Sequence, residues 1–219
     1  MTDATRSRRR LDPPLALAPM VRELAPSNIY GPWQATAASQ IEAAAIPAYA
    51  PTARILHWVT AVLIFLMIPL GLVIANDWGG LPQDLLYDLH RSIGALLIPL
   101  VLLRVILHWT NPPLRLPDDI PAIQQFVARA THWGLYALLM VQPIVGWMAT
   151  SAYRAPIMVF GLFELPPICP ENRFVSEQLY RLHGLIGMAI AGLVAAHISG
   201  ALYHHFVRKD RVLMRMITG

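Results

Sequence analysis

The chain has 219 residues, 56% of them hydrophobic and only 14% charged, with a mean hydropathy of +0.48 and a formal net charge of +4. A soluble domain carries about 25% charged residues, so this composition excludes an ordinary soluble enzyme, and the clustering of the apolar residues excludes a disordered or fibrous chain. A single cysteine, Cys169, excludes an internal disulfide framework and cysteine-based zinc or iron–sulfur sites.

Residues 1–50 are rich in Ala and Pro and contain Arg8, Arg9 and Arg10. A secretory signal needs an apolar core after such a basic stretch, and Leu11-Asp12-Pro13-Pro14 follows instead. The expectation is a mostly disordered cytoplasmic arm able to touch anionic lipid, followed by one domain over 51–219. Four apolar blocks come next: Leu56 to Ile74, Leu89 to Leu107, Thr131 to Ala149 and Leu182 to Tyr203. Each has about the 20 residues needed to cross a hydrocarbon core of about 30 Å. Pro69, Pro99 and Pro143 fall inside the first three blocks, where membrane helices tolerate proline if neighbours satisfy the freed carbonyl. The link from Trp109 to Arg129 opens with a helix stop, Asn111-Pro112-Pro113. In the longer link from Thr150 to Arg181, Phe160-Gly161-Leu162-Phe163 and Pro166-Pro167 predict a short cap lying on the outer membrane surface. The predicted fold is an all-α membrane protein, a bundle of four transmembrane helices. Buried helices of a soluble protein are the alternative, and no chain remains to cover four of them.

Charge predicts the orientation. Thirteen of the 17 basic residues lie on the side of the N-terminal arm, the link between spans two and three, and the C-terminal tail. The other side holds Arg91, Arg154, Arg173 and Arg181. The positive-inside rule then puts both termini in the cytoplasm. Trp58, Trp109 and Trp133 mark the inner interface and Trp78 the outer one. The basic balance is a topology signal and does not call for nucleic acid.

A histidine within the bilayer is a functional hypothesis by default. His57 opens the first span on the inner side. His90 and His183 open the second and fourth spans on the outer side. His197 lies 14 residues beyond His183, about 21 Å along a helix and only about 40° short of four full turns. Both face one way, so His90 can meet His183 at the outer level and His57 can meet His197 at the inner one. Two bis-histidine sites stacked across the membrane are what two low-spin b-type haems require, with both axial positions filled. No Cys-x-x-Cys-His motif occurs, so such haems are non-covalent.

The neighbouring residues carry two readings each. Gly94 and Gly187, four residues after His90 and His183, leave room for a flat macrocycle or simply let helices pack closely. Arg54, Arg91, Arg104 and Arg181 are candidates for haem propionates or are topology charges that snorkel to the interface. His132, at about the level of His57, is the rival inner ligand, or with Arg129 belongs to a quinone or propionate site. His108, beside Trp109, reads as a surface residue. His204, seven residues after His197, hydrogen-bonds a quinone carbonyl or lies among headgroups beside His205. Zinc is the competing use of histidine, but it favours clustered ligands or carboxylates, and the four spans hold no acidic residue.

Arg54-Ile55-Leu56-His57-Trp58, Leu89-His90, Val159-Phe160-Gly161, Leu182-His183, Ala196-His197 and the run Ala201 to Asp210 resemble, in order and spacing, the bacterial cytochrome b561 family of small four-helix di-haem membrane proteins. Related cytochrome b subunits serve formate dehydrogenases and nickel–iron hydrogenases. The resemblance runs from about Tyr49 to Met216. It implies His57 and His197 as ligands of the inner haem and His90 and His183 as ligands of the outer one, with electrons passed to or from ubiquinone. Some members are superoxide oxidases, which take an electron from periplasmic superoxide. The long arm and the Arg181-Leu182 pair ahead of His183 depart from the family pattern without touching the ligands. Two functions follow: a superoxide:ubiquinone oxidoreductase of the bacterial inner membrane, or a cytochrome b anchor and electron-relay subunit of a periplasmic redox enzyme. A colourless structural protein or transporter is the third class.

Overall fold

The structure, a computed structural model, describes residues 49–76, 82–110 and 120–218. The basic arm over 1–48, Trp78, and the Asn111-Pro112-Pro113 stop with Arg115 lie outside the described residues.

Four long helices make the bundle: α1 (Pro51–Asn76), α2 (Gln83–Thr110), α3 (Ala122–Tyr153) and α4 (Arg173–Leu202). The shortest, α1, has 26 residues, and at 1.5 Å per residue it covers about 39 Å, more than the hydrocarbon core of about 30 Å. All four are long and apolar enough to cross a membrane. Pro69, Pro99 and Pro143 lie within α1, α2 and α3.

All four helices start earlier than their apolar blocks, α1 at Pro51 rather than Leu56 and the other three by more. The second begins at Gln83 rather than Leu89, the third at Ala122 rather than Thr131, and the fourth at Arg173 rather than Leu182. His90, His132 and His183 therefore sit about two to three turns inside their helices instead of opening them. Hydropathy registers the lipid-facing length, whereas backbone hydrogen bonding continues through polar turns such as the one holding Asp84. Asn172 fixes the early start of α4: its Oδ1 accepts from the Val175 amide at 3.1 Å, satisfying a donor the first turn leaves unpaired.

Along the bundle α4 packs on α3, α3 on α2, and α2 on α1. The core is a layer of Ile64, Ile93, Leu97, Val101, Leu139 and Ile190, drawn from all four helices. Ile190 stands seven residues from both His183 and His197, so this apolar layer separates two histidine levels. Outward-facing Phe65, Leu66, Leu102, Leu103, Leu185 and Met188 are exposed, the pattern of helices whose solvent on that face is lipid.

The link after α3 is not wholly irregular. Met158–Val159 (β1) and Phe163–Glu164 (β2) pair antiparallel. The expectation of an all-α chain is amended by this small hairpin, which pairs backbone groups that would otherwise go unsatisfied at a membrane edge. Its turn needs two left-handed residues, Phe160 (φ 49°) and Gly161 (φ 69°), and closes with the Leu162 amide donating to the Val159 carbonyl at 2.9 Å. Ser92 pins it to α2. The Ser92 hydroxyl donates to the Met158 carbonyl (3.2 Å) and accepts from the Phe160 amide (2.9 Å). This end of the bundle is called the hairpin end below.

At the other end α4 passes into a π-helical turn, Tyr203–Arg208, and then a short helix α5, Met214–Ile217. Arg54 Nη2 donates to the Ile217 carbonyl at 3.0 Å and Trp58 Nε1 to the Met216 carbonyl at 3.1 Å. These bonds tie the start of α1 to the last described residues, and this is the terminal end.

Candidate cofactor sites at the two ends of the bundle

At the hairpin end α2 brings His90 and α4 brings His183 to ring centroids 6.0 Å apart, with planes 69° apart. His183 is held by α3. Its Nδ1 donates to the Gln142 carbonyl at 3.1 Å, and the Gln142 side-chain amide donates back to the His183 carbonyl at 3.0 Å. A carbonyl only accepts, so Nδ1 carries the proton and a neutral ring keeps its lone pair on Nε2. A metal-ligating histidine is characteristically oriented through its other nitrogen in this way. Two glycines back the rings. A Cβ on Gly146 would stand 2.9 Å from His183 Cε1, and one on Gly71 would stand 3.3 Å from His90 Cε1. His90 Nδ1 is buried and has no hydrogen-bond partner among the described residues.

At the terminal end α1 brings His57 and α4 brings His197 to ring centroids 6.2 Å apart, planes 54° apart. Here side chains from the other two helices surround the pair. Arg104 of α2 donates from Nη2 to His57 Nδ1 at 3.1 Å, and its guanidinium carbon lies 5.5 Å from the Tyr136 ring centroid. His132 of α3 lies edge-on to His197 at 4.9 Å. Its own Nδ1 donates to the Ala128 carbonyl one turn back at 2.6 Å. His108 stacks at 5.3 Å from Trp133 and 5.4 Å from Tyr136.

The remaining residues singled out in the sequence are placed as follows. Gly94 and Gly187 do not touch the paired rings: a Cβ there would meet Met67 Cε at 3.8 Å and Gln142 Nε2 at 3.3 Å. Arg54 holds the Ile217 carbonyl. Arg91 donates from Nη1 to the Pro156 carbonyl at 3.4 Å, approaches Asp88 at 3.9 Å and lies over the Tyr87 ring at 5.2 Å. Arg181 is exposed. His204 Nδ1 meets Asp210 Oδ2 at 2.5 Å, where Arg208 Nε also donates at 3.4 Å, and the Val212 amide donates to Asp210 Oδ1 at 3.0 Å.

Sequence reasoning missed Gly71, Gly146, Gln142 and Tyr136. Gln142 had a signal, since a lone amide within an apolar run is costly unless it finds a partner. The glycines had only their position in mid-span.

The ring spacing of the two pairs is compatible with a metal held by one nitrogen from each ring. Metal–imidazole bonds of about 2 Å on opposite sides of one ion place the ring centres roughly 6 Å apart, as both pairs do. The 4.9 Å between His132 and His197 is too short for an ion between them in that arrangement. An oriented His183, an unpartnered buried nitrogen on His90 and glycine-backed rings belong to the same donor chemistry as haem b.

Residues 48–219 match the family described as prokaryotic cytochrome b561. Cytochrome b561 homolog 2 of Escherichia coli strain K12 is 32% identical over 166 residues, covering 74% of this chain and 86% of that protein. Cytochrome b561 homolog 1 of the same organism is 28% identical over 173 residues, covering 77% of this chain and 96% of that protein. A probable superoxide oxidase CybB of Yersinia pestis is 29% identical over 131 residues, covering 59% of this chain and 73% of that protein. Four membrane-length helices, two facing histidine pairs and a family match over the whole described region agree: the chain belongs to the prokaryotic cytochrome b561 family of haem b-binding electron-transfer proteins of the bacterial inner membrane.

Proposed function

We propose that this chain carries electrons across the inner membrane between two non-covalent haem b groups, one held by His90 and His183 and the other by His57 and His197, and exchanges them with ubiquinone. The observation that carries the reading is the pair of ring separations, 6.0 and 6.2 Å, at opposite ends of one bundle. When bound, each haem would be held by the two histidines of its pair and would supply one-electron redox chemistry. The chain's own residues supply the rest. Gln142 holds the His183 proton on Nδ1, Gly71 and Gly146 let the rings lie against α1 and α3, and the Ile64–Leu97–Val101–Ile190 layer keeps water from the space between.

The basic residues support a cytoplasmic terminal end and a periplasmic hairpin end. Ubiquinone is assigned to the terminal end. There the Asp210 carboxylate accepts from His204 Nδ1, so that with a second proton on Nε2 the ring would donate from Nε2 to a quinone carbonyl, and His132 and Arg129 approach the same level from α3. Superoxide is the proposed donor at the hairpin end, supported by the relative named a probable superoxide oxidase. Arg91, Arg154, Arg173 and Arg181 are the cations there, but Arg154 pairs with Glu171 at 3.5 Å and Arg173 covers the Tyr153 ring at 4.1 Å. Any steering of an anion is therefore short-range and falls with added salt.

Stopped-flow mixing of the detergent-solubilised protein with superoxide, followed by a ubiquinone analogue, tests the reading. The expected record is haem reduction and then reoxidation. Absence of reduction by superoxide moves the assignment to the second reading, and reduction without reoxidation by quinone removes the quinone. The second reading is a membrane relay subunit of a periplasmic dehydrogenase or hydrogenase. It draws on the apolar hairpin surface, where Phe160, Leu162, Phe163 and Phe174 are all more than half exposed and Leu162 reaches 80%.

A further inference from the structure

We infer that Arg104 sets the order of the two haem potentials, placing the terminal-end group above the hairpin-end group so that electrons run from His90–His183 to His57–His197. The inference rests on the two-haem reading above and assigns it a direction.

Arginine keeps its charge in proteins even when buried. Arg104 lies deep enough in α2 to reach the ring of His57 at 3.1 Å and the face of Tyr136 at 5.5 Å. Among the described residues no carboxylate stands within ion-pair distance of it. The acid of the chain's last turns, Asp210, is taken up by His204 and Arg208. A cation away from bulk water acts through a low effective dielectric. It therefore stabilises the ferrous form of a neighbouring iron centre, which carries one positive charge less than the ferric form, and so raises that centre's potential.

At the hairpin end, among the described residues, no cation donates to a ring nitrogen. His183 is oriented by a neutral backbone carbonyl. The cation nearest His90 is Arg91, whose side chain is 20% exposed; it faces Asp88 at 3.9 Å, with the Asp88 side chain 60% exposed, and donates to the Pro156 carbonyl at 3.4 Å, so its field is opposed by an anion. A ligating Nε2 on His57 needs a proton on Nδ1, and Arg104 would then turn to the nearest acceptors, which include the propionates that haem brings. In either position its charge remains beside the terminal pair, and removing it lowers the potential there.

The transfer makes and breaks no bond and moves no proton. Iron at the hairpin end is oxidised from ferrous to ferric, and iron at the terminal end is reduced from ferric to ferrous. The electron originates in the one-electron donor at the hairpin end and finishes on the quinone at the terminal end.

Spectroelectrochemical titration tests this in the full-length holoprotein, with the two centres assigned spectrally from the His183→Ala and His57→Ala variants. The wild type is expected to show the terminal-end centre at the higher potential. In Arg104→Gln that centre shifts down by a tenfold change in its reduction equilibrium, 59 mV for one electron, while the hairpin-end centre stays in place. Arg104→Lys, which keeps the charge, stays close to wild type. A structural role alone would not separate Lys from Gln by potential. The inference is overturned if the wild-type order is reversed, or if Arg104→Gln leaves the terminal centre unmoved or moves both centres together. Should Arg104→Gln fail to retain the terminal haem, the wild-type order and the Arg104→Lys potential decide. A haemochrome count of one haem per wild-type chain would refute the two-haem reading itself, separately from the role of Arg104.

Discussion

At the hairpin end the histidine rings lean on backbone: Gly146 and Gly71 behind them and the Gln142 carbonyl on His183 Nδ1. At the terminal end they lean on side chains: Arg104 at His57 and His132 at His197. Backbone fixes position closely and carries little net charge, so the hairpin site is sensitive to volume. Polar side chains bring charge and can rearrange, so the terminal site is sensitive to electrostatics. One sequence spacing, 14 residues along α4, thus serves two sites with different physical vulnerabilities.

The largest effect that can break this comparison is ligand deletion. His90→Ala and His183→Ala are each expected to remove one and the same haem, and His57→Ala and His197→Ala the other, each halving haem per chain in a pyridine haemochrome assay. Two matching pairs of spectra would support the partition. If His132→Ala deletes the terminal-end haem and His57→Ala spares it, the terminal pairing is wrong.

A steric substitution sharpens the hairpin half. Gly146→Ala puts a methyl 2.9 Å from His183 Cε1, closer than van der Waals contact. Overpacking of this kind costs about 1–3 kcal/mol, and the hairpin-end haem should be lost preferentially or its spectrum shifted. Gly94→Ala, whose methyl would meet the flexible end of Met67 at 3.8 Å, should be neutral. Equal haem retention in the two variants would contradict a backbone-built site.

The contrast between those two glycines shows where the sequence was informative. Histidine phase was legible because it lies within one helix: 3.6 residues per turn carries His183 and His197 to one face whatever surrounds them. Depth then matched each to a histidine on another helix, and the rings of those pairs do stand close. The four spans were legible for a similar reason, since apolar length is a local property. What was not legible is what one helix presents to another. Gly94 and Gly187 were chosen because they lie one turn from a histidine on the same helix, but the glycines against the rings come from α1 and α3, which only the packing of the bundle selects. The early start of α4 was hidden for a different reason. Asn172 and the polar turns after it are held by hydrogen bonds, which hydropathy does not register.

Gln142 offers a smaller test of the same hairpin site. Gln142→Leu removes the amide that donates to the His183 carbonyl, a bond worth about 1 kcal/mol. Its Oε1 is buried without a partner among the described residues, so removing it offsets part of that loss. The bond from His183 Nδ1 goes to the Gln142 backbone and survives the substitution. The expected outcome is full haem content with a melting temperature slightly below wild type. Loss of haem would mean that the side chain, and not the main chain, orients His183.

The smallest effect belongs to the terminal end, outside the membrane spans. Burial pushes the Asp210 carboxyl up, but hydrogen bonds from His204 and the Val212 amide, the field of His204 and a further bond from Arg208 outweigh it and hold the group below its ordinary value of 3.8. A carboxylate whose folded pKa is depressed stabilises the fold at pH above its unfolded value, and that contribution is lost as pH falls through the folded one. Comparing wild type with Asp210→Asn by thermal melting in detergent isolates it. The wild type should melt higher down to about pH 4–5, where an ordinary carboxylate is still largely ionised, and the margin should shrink as the pH is taken lower. A margin that stays flat through pH 3, or grows there, would remove Asp210 from the account of how the π-helical turn is held, and with it the argument that His204 presents Nε2 to a quinone.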